Sequence, residues 1–118
     1  MFARSVTMKL KPNTAIEFSQ TLERDILPML RKRNGFADEL SFVTADGNSA
    51  VAISLWDRRE NAESYSRETY PAVVQGLSKV LEGAPEVRSY DVASSTFHKI
   101  APNAPAPTPN ASPVAATV

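Results

Sequence analysis

The sequence contains no cysteine, which removes disulfides, thiolate nucleophiles and cysteine-ligated zinc or iron–sulfur sites. It contains one histidine, His98, so no site can gather several imidazoles from one chain. No acidic loop is clustered in the manner of a magnesium or calcium site. No glycine-rich loop is placed to cradle a phosphate. No metal or cofactor is therefore expected. Net charge is also missing: 13 basic residues balance 13 acidic ones. That balance provides no field to draw nucleic acid or an anionic membrane. No apolar run reaches the length of a membrane span. Met1 to Ser5 enters a strand pattern directly, without the apolar middle of a signal peptide. Together with the lack of cysteine, this fits a cytoplasmic location.

What is present is a regular succession of amphipathic segments in 118 residues, long enough for one domain with a real core. Phe2 to Leu10 alternates, with Val6, Met8 and Leu10 on one side, and predicts a first strand. Thr14 and Glu17 form a T-x-x-E capping box that opens a helix. Phe18, Leu22, Ile26 and Met29 give that helix its apolar stripe. Pro28 removes a backbone donor and predicts a late kink. Arg31, Lys32 and Arg33 read as a solvated helix end, and Gly35 as the stop. Phe36 to Thr44 predicts a second strand. Asp46-Gly47-Asn48 is a hairpin turn signal that joins it antiparallel to a third, Ser49 to Trp56.

The third strand ends in the only tryptophan and hands over at once to a helix. Asp57 with Glu60 reads as a D-x-x-E capping box for a helix from Arg58 to Thr69. Pro71 restarts a second segment whose apolar face is Val73, Val74, Leu77, Val80 and Leu81. Gly83 and Pro85 end it. Glu86 to His98 predicts the fourth strand, with a bulge near Ser94-Ser95 as the one feature that would break its register. From Ala101 to Val118 the composition changes and holds five of the nine prolines. This stretch reads as a Pro/Ala-rich flexible tail, leaving residues 1–100 as the folded domain.

The order strand, helix, strand, strand, helix, strand is the ferredoxin-like split βαβ arrangement, an α+β fold with helices on one face of a four-stranded antiparallel sheet. Val6, Met8, Leu10, Val51, Ile53 and Leu55 are expected on the helix side. Ser5, Thr7, Ala52, Ser54 and Trp56 are expected on the other. RNA-recognition motifs share this topology, but they stack bases on aromatics of the central strands beside basic charge. Strand three has no such run.

Three pieces of the chain carry a family resemblance. They are Leu27-Pro28 with Gly35-Phe36; Ile53-Ser54-Leu55-Trp56-Asp57 with Glu60, Ala62 and Tyr65; and Pro85-Glu86-Val87 with Tyr90. Over about Phe2 to His98 the chain resembles the antibiotic-biosynthesis-monooxygenase family of dimeric α+β barrels. The resemblance implies a homodimer in which two sheets close each other's open faces, and a cavity for a small-molecule ligand. In oxygenase members the substrate itself donates electrons to oxygen, with no metal or flavin. Haem-degrading relatives use an asparagine on strand one and a histidine along the second helical region. Here strand one has no asparagine, and no histidine lies between Trp56 and Gly83.

Two readings of function follow. One is a cofactor-independent monooxygenase acting on a small phenolic or quinol-like compound. The other is a non-catalytic barrel that binds a small apolar ligand or serves as an interaction module. On the first reading His98 is the default base, because it alone titrates near neutrality without perturbation. Tyr65 or Tyr90, with a lowered pKa, would be the other proton acceptors. Trp56 offers a flat apolar wall, with Ser54, Ala52 and Arg58 nearby as substrate-binding candidates.

Overall fold

The computed structural model describes residues 1–100. The expected tail, 101–118, lies outside the described residues. Four strands form one antiparallel sheet: β1 (Phe2–Lys9), β2 (Phe36–Val43), β3 (Ser49–Trp56) and β4 (Glu86–Asp91). Their spatial order is β2-β3-β1-β4. The helical segments are α1 (Ala15–Thr21), a π-helical turn (Leu22–Ile26), α2 (Leu27–Arg31), α3 (Arg59–Glu68) and α4 (Tyr70–Gly76). This is the α+β, ferredoxin-like architecture the element order predicts.

The β2–β3 hairpin turns where the sequence signals it. Gly47 takes a left-handed φ of 74°. The Asp46 carboxylate accepts from the Thr44 hydroxyl at 2.6 Å and from the Asn48 backbone N–H at 2.9 Å. The turn length sets the register, pairing Val43 with Ala50 and Phe42 with Val51.

That register corrects one expectation. Residues directly opposite in an antiparallel pair share a face. Val6 and Met8 lie in the core beneath the helices and pair with Ala52 and Ala50. So the helix side of β3 is Ala50, Ala52, Ser54 and Trp56, and not Val51, Ile53 and Leu55. Those three branched residues share the open face with Leu40 and Phe42 of β2, and Phe42 is 53% exposed. Both faces of β3 carry apolar residues, so alternation alone could not say which met the helices. The small side chains under the helices leave space between sheet and helices.

Both capping boxes also resolve differently. Thr14 precedes α1, but its hydroxyl donates back to the Lys11 carbonyl at 2.7 Å and caps no helical N–H. Arg58, not Asp57, is the residue flanking α3. Asp57 is occupied otherwise: its N–H donates to the Gly35 carbonyl at 2.8 Å, and its carboxylate accepts from the Asn61 amide at 2.8 Å. Gly35, with φ 79°, packs so close that a Cβ there would overlap both side chains. Arg33 is not a freely solvated end either, because it donates to Glu68 of α3 at 2.8 Å.

The first helix departs from straight α geometry before Pro28, not at it. The Leu27 N–H bonds the Leu22 carbonyl five residues back, a π-type turn. The buried residues recur every fourth position: Phe18, Leu22, Ile26 and Leu30. In a uniform α-helix each such step overshoots the face by about 40°, so three steps would carry Leu30 about 120° away from Phe18. The wider turn reverses that drift. Leu30 is therefore buried, and Met29 only packs at the margin of the core.

β4 stops at Asp91, short of His98, because β1 offers it nothing further to pair with: Phe2 lies opposite Asp91. One more bond, from the Val92 N–H to the Met1 carbonyl, closes the edge. His98 therefore lies outside the strand that carries Tyr90.

Candidate functional site

The space left by Ala52 and Ser54 is a cavity between sheet and helices. β1 contributes Arg4, Val6 and Met8; β2 contributes Glu39; β3 contributes Ala52 and Ser54. The π turn and α2 supply Leu22, Ile26 and Leu30, while α3 and α4 supply Tyr65, Tyr70, Val73 and Val74. Its volume, about 40 Å³, exceeds the roughly 10–15 Å³ that one water requires. Most of the wall is aliphatic, so the few polar groups on it define its chemistry.

Four aromatic rings lead from the end of the sheet to this cavity. Phe36 meets Trp56 edge-on at 5.6 Å, Trp56 lies 5.0 Å from Tyr65, and Tyr65 lies 6.2 Å from Tyr70. Arg4 completes the series, its guanidinium 4.5 Å from the Tyr70 ring centre and 5.2 Å from that of Tyr65. These distances are in the range of cation–π attraction. Trp56 itself is fully buried, and its indole N–H donates to the Ser54 hydroxyl at 2.9 Å. It stands one layer behind the cavity wall and holds Tyr65 in place.

Arg4 is the unusual residue. It is 4% exposed, yet among the described residues no carboxylate lies within ion-pair distance of it. Among the described residues its side chain makes one hydrogen bond, a long 3.5 Å contact to the Ser66 hydroxyl. Burial lowers its pKa, and the two tyrosines act in the opposite sense. A guanidinium remains charged at neutral pH all the same. Glu39 is half-buried, and burial raises its pKa, opposed by a hydrogen bond from the Ser41 hydroxyl.

Burial pushes the Tyr65 phenol up to about 12, against the lowering influence of Arg4. Tyr65 is therefore a hydrogen-bond donor at neutral pH, not the lowered-pKa base the sequence suggested. Burial also raises the Tyr70 phenol, and its hydroxyl is buried without a hydrogen-bond partner.

Of the residues singled out from sequence, Tyr65, Ser54 and Ala52 meet at this cavity, backed by Trp56. The others lie elsewhere. Arg58 lines a surface groove with Met1, Glu60 and Asp91. Tyr90 is half-exposed and pairs with Ala3 across the open face of the sheet. His98 is beside the Asp38 carboxylate, in a shallow site with Leu40, Leu55 and Phe97.

Sequence reasoning missed Arg4 and Glu39. A signal for Arg4 was present: it has the parity of Val6 and Met8, so a charge sits in the apolar row of β1. Glu39 gave no such sign, because a bulge between Phe36 and Asp38 resets the parity of β2.

The fold is shared with proteins of the antibiotic-biosynthesis-monooxygenase type. A monooxygenase from the ActVA-Orf6 gene of Streptomyces coelicolor, solved with the ligand nanaomycin D, superposes with a TM-score of 0.68 at 16% identity, over 83% of this chain and 92% of that one. SnoaB, a cofactor-independent oxygenase from Streptomyces nogalater, gives 0.67 at 13% identity, over 82% and 97%. NE2512, a protein of unknown function from Nitrosomonas europaea, gives 0.68 at 11% identity, over 83% and 94%. No family model matches the sequence, and no curated protein does. No helix among the described residues is long and apolar enough to cross a membrane.

Proposed function

We propose that this protein is a cofactor-independent monooxygenase that oxidises a small phenolic or quinol-like compound in the cavity beneath the helices. The observation that carries this reading is the pairing of a mostly aliphatic pocket with a half-buried carboxylate, Glu39, on its wall, whose pKa burial raises above its ordinary value. A base with that property can accept a phenolic proton and later return it. Two oxygenases with the same fold support the class of reaction. Removing the phenolic proton makes the ring a better electron donor to oxygen. A phenol and O₂ then give a quinone and water, with the substrate supplying the electrons. The aliphatic walls exclude water from the reacting ring, Tyr65 donates a hydrogen bond, and Trp56 fixes Tyr65 behind it.

The protein would work as a homodimer. Leu40, Phe42, Val51, Ile53 and Leu55 form an apolar sheet face wide enough to take a second copy, and stable interfaces of this kind bury more than about 2,000 Å².

The test is oxygen uptake by metal-free protein with a panel of dihydroxy-aromatics, comparing the native chain with Glu39→Gln. Uptake that falls by about 10²–10⁴ in the variant supports Glu39 as the base. Tight binding of a panel member without uptake would instead favour the binding-module reading, to which the aliphatic wall and the raised tyrosine pKa values are equally suited.

A further inference from the structure

We propose that Arg4 is the anchor for a carboxylate on the ligand, so that the cavity takes a flat aromatic acid and not a neutral aromatic. This deepens the reading above and rests on the same cavity. Three observations point to it. Arg4 is almost wholly buried, at 4% exposure, on the cavity wall. Among the described residues no carboxylate pairs with it, and its one hydrogen bond is the 3.5 Å contact to Ser66. The Tyr70 hydroxyl, on the ring that faces the guanidinium at 4.5 Å, is also buried and unpartnered.

Buried charges are ordinarily paired, because leaving water costs an unpaired ion more than any other group. Cation–π contact with Tyr65 and Tyr70 offsets part of that cost but uses the face of the guanidinium, leaving its N–H fork with only the long Nη2 contact to Ser66. A planar fork fits a carboxylate by two parallel hydrogen bonds. The Tyr70 hydroxyl can donate a third to the same oxygens. The aromatic part of the ligand would then lie along Val6, Met8 and Ala52. Arg4 also lines the surface groove with Phe2, Ser66 and Ser89, so an acid arriving from solvent meets the cation at the boundary between groove and cavity.

The experiment compares matched ligands: benzoic and naphthoic acids against their neutral amides, measured calorimetrically on the full chain. The acids should bind about ten- to a hundredfold tighter than the amides. Equal binding, preference for the amides, or no binding of any acid overturns the proposal. Arg4→Met should abolish the preference. It should also raise the melting temperature of the ligand-free protein, because an unpaired buried charge has been replaced by an apolar side chain. A variant that keeps the preference overturns the assignment. If Arg4→Met does not fold, Arg4→Lys keeps the charge without the fork, and it must weaken the acids while leaving the amides unchanged. A preference for acids without oxygen uptake leaves this proposal standing and removes the oxygenase reading. Uptake of neutral phenols with no preference for acids does the reverse.

Discussion

The Trp56 indole N–H donates to the hydroxyl of Ser54, two residues earlier on the same face of β3, at 2.9 Å and out of contact with water. Removing the acceptor strands a buried donor, which costs about 1–3 kcal/mol. Ser54→Ala should therefore lower the unfolding free energy measured in urea by that amount. Trp56→Phe removes the donor as well, so the double variant should lose less than the sum of the two single ones. Strict additivity would show that the bond contributes nothing.

Gly35 holds a left-handed backbone against the Asp57 carboxylate and the Asn61 amide. Gly35→Ala combines backbone strain with overlap, and should destabilise by about 1–3 kcal/mol. Thermal unfolding checks this directly. An unchanged melting temperature would mean that the junction between β2 and α3 yields easily.

Tyr65 titrates near 12 in the folded chain, above its ordinary value of 10.0. Above about pH 10 the unfolded state releases this proton while the folded state still holds it. The stability that Tyr65 contributes is complete below pH 10 and is lost as pH rises toward 12. Denaturation across this range should show a steeper alkaline loss in the native chain than in Tyr65→Phe. Parallel curves would contradict the assigned burial.

Glu39 has a raised folded pKa, so the sign is the same on a lower part of the scale. Its contribution is present below the unfolded value of 4.5 and is lost as pH rises through the folded one. Glu39→Gln should therefore be more stable than the native chain at neutral pH and lose that advantage in acid. Activity runs the other way, falling as pH drops through the folded pKa and the base becomes protonated. A flat pH–rate profile on the acid side would remove Glu39 from that role.

The exposed apolar face of the sheet gives a fifth measurement. Phe42→Lys or Ile53→Lys places a charge in the centre of it. The native chain should sediment as a dimer, and each variant as a folded monomer. A native chain that is already monomeric at micromolar concentration would contradict the dimer.

The order of elements was legible because the boundaries carry local chemistry: Gly35, the Asp46-Gly47-Asn48 turn and Pro71 all interrupt a clear period. The orientation of β3 was not. Val51, Ile53 and Leu55 form as apolar a row as Ala50, Ala52, Ser54 and Trp56, and only pairing with β1 decides between them. The candidate site was half legible. Tyr65, Ser54 and Ala52 were picked out by nearness to Trp56, and they do meet. His98 was favoured for its intrinsic pKa, which says nothing about where the chain goes after β4 runs out of partners. Glu39 became a candidate base only through burial, a tertiary property that no local pattern encodes.

The π turn at Leu22–Ile26 has a consequence for comparing this chain with others. It holds one residue more than an α-helical turn would need to join the same two faces. A homologue with an unbroken first helix should therefore be shorter by a single residue, with the gap inside Leu22–Ile26. Placed elsewhere, the gap would equate buried Leu30 with a neighbour's marginal position and move the cavity wall by one side chain. Deleting exposed Glu23 makes the same point experimentally: the shortened helix should keep Phe18 and Leu30 on the core, and the protein should still fold.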